Sequence, residues 1–130
     1  MGRACRIFAA LLLVVGLAAC DSYKDDIAAV KAAETMPGQT NEEFVNQIAG
    51  ARGKVEWTAE KPTAYKDNPH IILVRATIDR TTRAGVERKI VVEYINNRQT
   101  GKVALERVLV DGQPQNLVSG LLNLLLMQLE

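Results

Sequence analysis

Hydrophobic positions follow three different rhythms along this chain. From Ile7 to Ala19 they form an apolar run broken only by Gly16. From Lys54 to Val110 they alternate with polar residues in short stretches, and from Leu117 to Leu129 they are nearly continuous. A period near 3.6 marks a helix and a period of two marks a half-buried strand. Each rhythm therefore predicts a different kind of element.

Between the first two rhythms the pattern is weaker. Residues 21–25 are polar and read as a tether, and "KDDIAAVKAAE" (24–34) is rich in good helix formers. Its apolar face is only Ile27, Val30 and alanines, so residues 20–39 predict a tether with a marginal helix, ended by Met36-Pro37-Gly38. Thr40 followed three positions on by Glu43 has capping-box spacing. Phe44, Val45 and Ile48 then share one helical face, and Gly50 and Gly53 close this second helix.

The alternating stretches predict four strands: 54–60, 71–82, 87–95 and 102–110. Along the second, Ile72, Val74, Ala76 and Ile78 share one face while Arg75, Thr77 and Asp79 share the other. Setting Ile95 opposite Lys102 pairs Val92 with Leu105 and Tyr94 with Val103, and leaves Glu93 and Glu106 on the solvated face with Lys102. Asp111-Gly112 turns the chain. "NLVSGLLNLLLMQLE" predicts a helix whose only polar stripe is Asn116, Ser119, Asn123 and Glu130, far more apolar than a one-sided surface helix requires. Residues 40–130 thus read as a single α+β domain: a four-stranded antiparallel meander with an apolar C-terminal helix packed on it. In outline this resembles cystatin-like or NTF2-like small domains, a likeness of fold that implies no function.

The first rhythm has its own meaning. Arg3 and Arg6 precede the apolar run and small residues follow it, the three-part layout of a secretory signal. The run is shorter than the roughly 20 residues needed to cross a bilayer as a helix. Its end, Leu17-Ala18-Ala19-Cys20, resembles the lipobox of bacterial lipoproteins. The resemblance covers residues 1–20. It implies that residues 1–19 are a cleaved signal, that the Cys20 thiol carries a diacylglycerol, and that the new amine is acylated. It also gives Asp21 a meaning, because aspartate at this position in enterobacterial lipoproteins retains the protein at the inner membrane. The expected location is the periplasmic side of a Gram-negative inner membrane, with the inner leaflet of the outer membrane as the alternative.

Composition then limits the chemistry. The chain has 130 residues, 16 Lys+Arg against 15 Asp+Glu, and only two cysteines. Loss of residues 1–19 removes Cys5 and leaves Cys20 alone, so no intramolecular disulfide forms and stability rests on a core. Near-neutral charge gives no case for nucleic acid. His70 is the sole histidine and reads as a loop residue, so no metal set assembles, and no cofactor motif is present. Asp25 and Asp26 read as solvated tether. Ser22 and Ser119 lack a nucleophile-elbow context. Glu93 and Glu106 facing each other across a hairpin would be a candidate acid–base pair, but with Arg75, Lys89 and Lys102 nearby they read as a charged, solvated sheet face. Trp57, Tyr65 and Tyr94 read as core packing or a loop anchor, with an aromatic binding spot as the alternative. The stretch "DRTTRAGVERK" (79–89) reads as a solvated hairpin or as a basic rim for an acidic partner.

These features together predict a non-catalytic, lipid-anchored envelope protein whose periplasmic domain is an interaction or adaptor module. Its partner would be an envelope complex or a second copy of itself. Leu121, Leu122, Leu125 and Leu129 form the candidate surface. The alternative is a carrier of a small apolar ligand, with a cavity between sheet and helix lined by Ile72, Val92 and Leu125. An enzyme is the third reading.

Overall fold

The computed structural model describes residues 14–116, with side chains from Tyr23 onward. Helix α1 (Val14–Ala32) and helix α2 (Asn41–Ala49) precede a sheet of strands β1 (Lys54–Glu60), β2 (Ile71–Thr81), β3 (Glu87–Asn97), β4 (Val103–Val110) and β5 (Gln113–Gln115). The sheet is an antiparallel meander in the order β1-β2-β3-β4-β5.

This corrects the expected fold. The sheet has five strands, not four, and the helices covering its inner face come before it in the chain. The expected C-terminal helix, with Leu121, Leu122, Leu125 and Leu129, lies outside the described residues, as does any contact it makes. The cystatin-like or NTF2-like outline, which rested on four strands and that helix, is withdrawn with it. The fifth strand follows from Asp111 and Gly112, whose φ values of 51° and 85° are both left-handed. Such a two-residue turn matches the twist of a hairpin. It returns the chain as Gln113-Pro114-Gln115 along β4. Proline is tolerated there because the strand is an edge.

The register between β3 and β4 also differs from expectation. Ile95 opposes Ala104 rather than Lys102, so Tyr94 meets Leu105, and a further one-residue shift between Glu93 and Tyr94 puts Val92 opposite Val108. Glu106 is the extra residue of a β-bulge, so Arg107, not Glu106, sits opposite Glu93.

The inner face is built as the alternation requires. Ile72, Val74, Ala76 and Ile78 of β2, Ile90, Val92 and Tyr94 of β3, and Val108 of β4 form one buried cluster with Val30 of α1 and Phe44, Val45, Ile48 and Ala49 of α2. Trp57 stacks on Tyr94 at 6.3 Å and 21° within this layer, and Lys31 lies 5.6 Å over the Trp57 ring. Both aromatics therefore belong to the core side. Burial pushes the Tyr94 phenol well above its ordinary value, so it stays neutral.

Both helices are fixed by polar groups as well as apolar ones. The Thr40 hydroxyl accepts from the Glu43 N–H at 3.1 Å, and the Glu43 carboxylate accepts from the Thr40 N–H at 2.9 Å, a complete capping box. Thr40→Ala removes one half of it. The expected loss is about 1 kcal/mol, read from the urea midpoint. Buried Asn41 donates to the Val30 carbonyl at 2.9 Å and ties α2 to α1. At the far end of α2 the Arg80 guanidinium donates to the Ile48 carbonyl at 2.7 Å, satisfying a terminal acceptor. Gly53 is required by space, since a Cβ there would run into the backbone of Ala49.

Asp26, expected in a solvated tether, is 3% exposed. It accepts from Asn96 Nδ2 at 2.8 Å and from Arg98 Nε and Nη2 at 3.0 and 2.6 Å. Its hydrogen bond and charge raise the Arg98 guanidinium further above its usual range. Asp26 thus pins α1 over the β3–β4 hairpin. Asp26→Ala leaves Asn96, itself 6% exposed, without this acceptor. An expected loss of about 2–3 kcal/mol follows. Amide exchange of residues 23–32 should rise more than that of β2, because the contact is local.

Candidate functional site

The outer face of the sheet carries the polar half of the alternation, yet it is not simply solvated. Leu73 and Ile71 point to this side and are 8% and 7% exposed. The β1–β2 connection arches over them: Pro62 is buried, and a short 3₁₀ turn spans Thr63–Tyr65. The Tyr65 hydroxyl reaches the Glu106 carboxylate at 3.4 Å, so the arch from β1 touches β4. Beneath it lies an open groove of about 320 Å³ between Leu73, Ile95, Tyr65 and a row of charges.

That row is an ion-pair ladder across four strands. Arg75 Nε donates to Glu93 Oε2 at 3.0 Å and Arg107 Nε to Glu93 Oε1 at 2.9 Å, while Arg75 Nη2 lies 3.4 Å from Glu60 Oε2. Register explains it: Arg75, Glu93 and Arg107 are direct cross-strand neighbours. The Glu93 side chain is 4% exposed, whereas those of Arg75 and Arg107 are 29% and 51% exposed. Glu93 therefore corrects the expectation of a solvated face. Its hydrogen bond and charge raise the Arg107 guanidinium above its usual range. Both Glu93 oxygens are engaged by guanidinium groups, and Glu106 faces Tyr65. The bulge has separated the two carboxylates that the simple register placed together.

A second charged region lies at the β2–β3 hairpin end. Arg52, from the turn after α2, donates to the Thr82 carbonyl at 3.5 Å, and Arg80 holds the end of α2 as described. They border two adjoining hollows, of about 210 and 450 Å³. The wider one also meets Asp111, which accepts from the Lys89 N–H at 2.9 Å and from Arg88 Nη1 at 3.1 Å. The Lys89 N–H first, then Arg88, holds the Asp111 carboxyl below its ordinary 3.8. A depressed folded value stabilises above the unfolded one and is lost as pH falls through the folded one. Asp111→Asn should therefore lower the urea midpoint at pH 6, and the gap to wild type should close as the pH falls below the ordinary carboxylate range. The effect is small, because Asp111 is 43% exposed and screened by solvent.

The remaining expected site residues are placed as follows. Cys20 and Asp21 lie on α1 by backbone, ahead of the pinned Asp26. His70 is an exposed loop residue whose N–H donates to Asn68 Oδ1 at 2.9 Å and whose carbonyl accepts from Arg98 N. Among the described residues no group of three or more His, Cys, Asp or Glu is placed to hold a metal, and no helix is long and apolar enough to cross a membrane. The leucines at 121–129 lie outside the described residues. Sequence reasoning missed the ladder and the arginines beside α2. The signal for the ladder was present in Arg75, Glu93 and Arg107, but only the bulge brings them into line. Comparison with protein-family models, curated proteins and solved structures returns no match for this chain.

Proposed function

We propose that this chain is a lipoprotein anchored through acylated Cys20, retained on the periplasmic side of the inner membrane by Asp21, whose folded domain is a non-catalytic interaction module. The observation that carries the module reading is the placement of its ends. Asp26 fixes α1 over the β3–β4 hairpin, so the helix that bears Cys20 enters at that end of the sheet. Strand β3 has 11 residues, which at about 3.3 Å each puts the two hairpin ends about 35 Å apart. An anchor at one end presents the β2–β3 end and the outer face away from the lipid.

Packing favours the module over the carrier. Ile72 and Val92, assigned to a ligand cavity, are 1% and 0% exposed in a layer filled by Val30, Val45 and Ile48. A carrier of a drug-sized ligand needs about 300 Å³ or more of apolar space there. The test is photo-crosslinking in intact cells from a benzophenone placed at Tyr65, on the arch. A module yields a defined envelope protein joined to this chain. A carrier yields no protein adduct and releases a small apolar molecule on denaturation.

A further inference from the structure

We infer that the groove at the β2–β3 hairpin end binds an acidic polypeptide segment of the partner. This deepens the interaction-module reading and rests on it. The narrower hollow is bordered by Arg52, Arg80 and Arg83, and no carboxylate lines it. Two of these arginines are already held: one Nη1 of Arg52 by the Thr82 carbonyl and one of Arg80 by the Ile48 carbonyl. A guanidinium carries five donors in a rigid fork, so each keeps others for a planar anion, and less side-chain freedom is lost when the anion arrives. A hollow of about 210 Å³ accommodates a carboxylate side chain, and the fork matches its two oxygens.

The adjoining hollow decides the class of partner. Lys54, Arg88 and Lys89 extend the positive surface, but Asp79, Glu87 and Asp111 alternate with them. Such a lining, net positive but interrupted by carboxylates, holds the dense charge of a phosphate-rich glycan less well than the more widely spaced carboxylates of an acidic polypeptide. It suits a polypeptide, whose acidic side chains are spaced and whose backbone supplies N–H donors. Val86, at the tip of the same hairpin, is 49% exposed. An apolar side chain held out among cations gives a partner's apolar residue something to cover, which a sugar or phosphate chain does not use. The groove also lies at the end of the sheet opposite the β3–β4 hairpin to which Asp26 ties α1, away from the bilayer that the proposed lipid on Cys20 would enter.

The experiment uses the full chain, made in Gram-negative cells and purified in detergent micelles. The probes are fluorescein-labelled hexaglutamate, read by anisotropy at 0.15 M salt, and a linear inorganic hexaphosphate as competitor. Binding of hexaglutamate is expected, weakened about tenfold or more by Arg83→Glu and by Arg52→Gln, and changed less than about twofold by Lys66→Glu on the distant arch. Arg83→Glu is the cleaner variant, since Arg52 also supports the hairpin; circular dichroism confirms folding in each. No binding, or binding indifferent to both variants, overturns the inference. Competition by hexaphosphate at about tenfold lower concentration than unlabelled hexaglutamate also overturns it, by assigning the groove to phosphate. A partner crosslinked from Tyr65 in cells, with groove variants without effect on either capture or hexaglutamate, defeats this inference and leaves the module standing. No partner from Tyr65 or from a benzophenone at Val86 defeats both.

Discussion

Cys20→Ala is expected to abolish incorporation of labelled palmitate and to leave the chain as a longer, uncut species. If residues 17–20 are the proposed lipobox, the effect should be complete, because the thiol is then the sole attachment point and cleavage before residue 20 depends on its modification. The physical stake is large: each buried CH₂ contributes about 0.8 kcal/mol, and two or three chains hold a protein at a bilayer where one holds it only reversibly. Cys5→Ala, within the same leader, should change nothing. Palmitate that persists in Cys20→Ala, or a mature chain that keeps residues 1–19, would refute the anchor.

The second large effect is expected in the outer-face ladder. Arg75→Met with Arg107→Met leaves the Glu93 carboxylate, whose side chain is 4% exposed, without either cation that now holds it. Breaking a buried ion pair from one side costs about 3–5 kcal/mol, a large part of the 5–15 kcal/mol that an ordinary domain has. Each single variant should cost much less, because the other arginine remains on the second oxygen. The pair is therefore expected to be non-additive. Adding Glu93→Met to the double variant should restore much of the stability by removing the stranded charge and leaving an apolar surface beside Leu73 and Ile95. Urea midpoints of the wild type and the four variants decide it. Additive single effects, or no recovery with Glu93→Met, would mean that the ladder is a solvated decoration.

The strands from Lys54 to Val110 were legible because burial on one face imposes a period of two, and Ile72, Val74, Ala76 and Ile78 keep it without interruption. Thr40 and Glu43 were legible for a different reason: a cap needs its two side chains at one spacing. What escaped was set by long-range geometry. Ile95 pairs with Ala104 rather than Lys102, and Glu106 then inserts one extra residue, neither of which alternation alone can detect. That slip hid the alignment of Arg75, Glu93 and Arg107. β5 escaped because Gln113-Pro114-Gln115 pairs along one edge by backbone alone and shows no apolar rhythm. Asp26 looked like tether because its partners, Asn96 and Arg98, lie some seventy residues away. Likewise, Arg52 and Arg80 belong to different elements, and only the ends of α2 and β2 bring them together. Local pattern marks the elements; the charged sites are made by their assembly.

The most direct measurement compares two forms of the protein in intact cells by crosslinking and mass spectrometry: the native chain, and a chain in which residues 1–20 are replaced by an ordinary cleaved secretory signal. A lipid-anchored adaptor predicts an envelope protein joined to the native form and lost, or reduced about tenfold or more, when the same folded domain is free in the periplasm. Equal capture by the free form, or no protein joined to either, would contradict it.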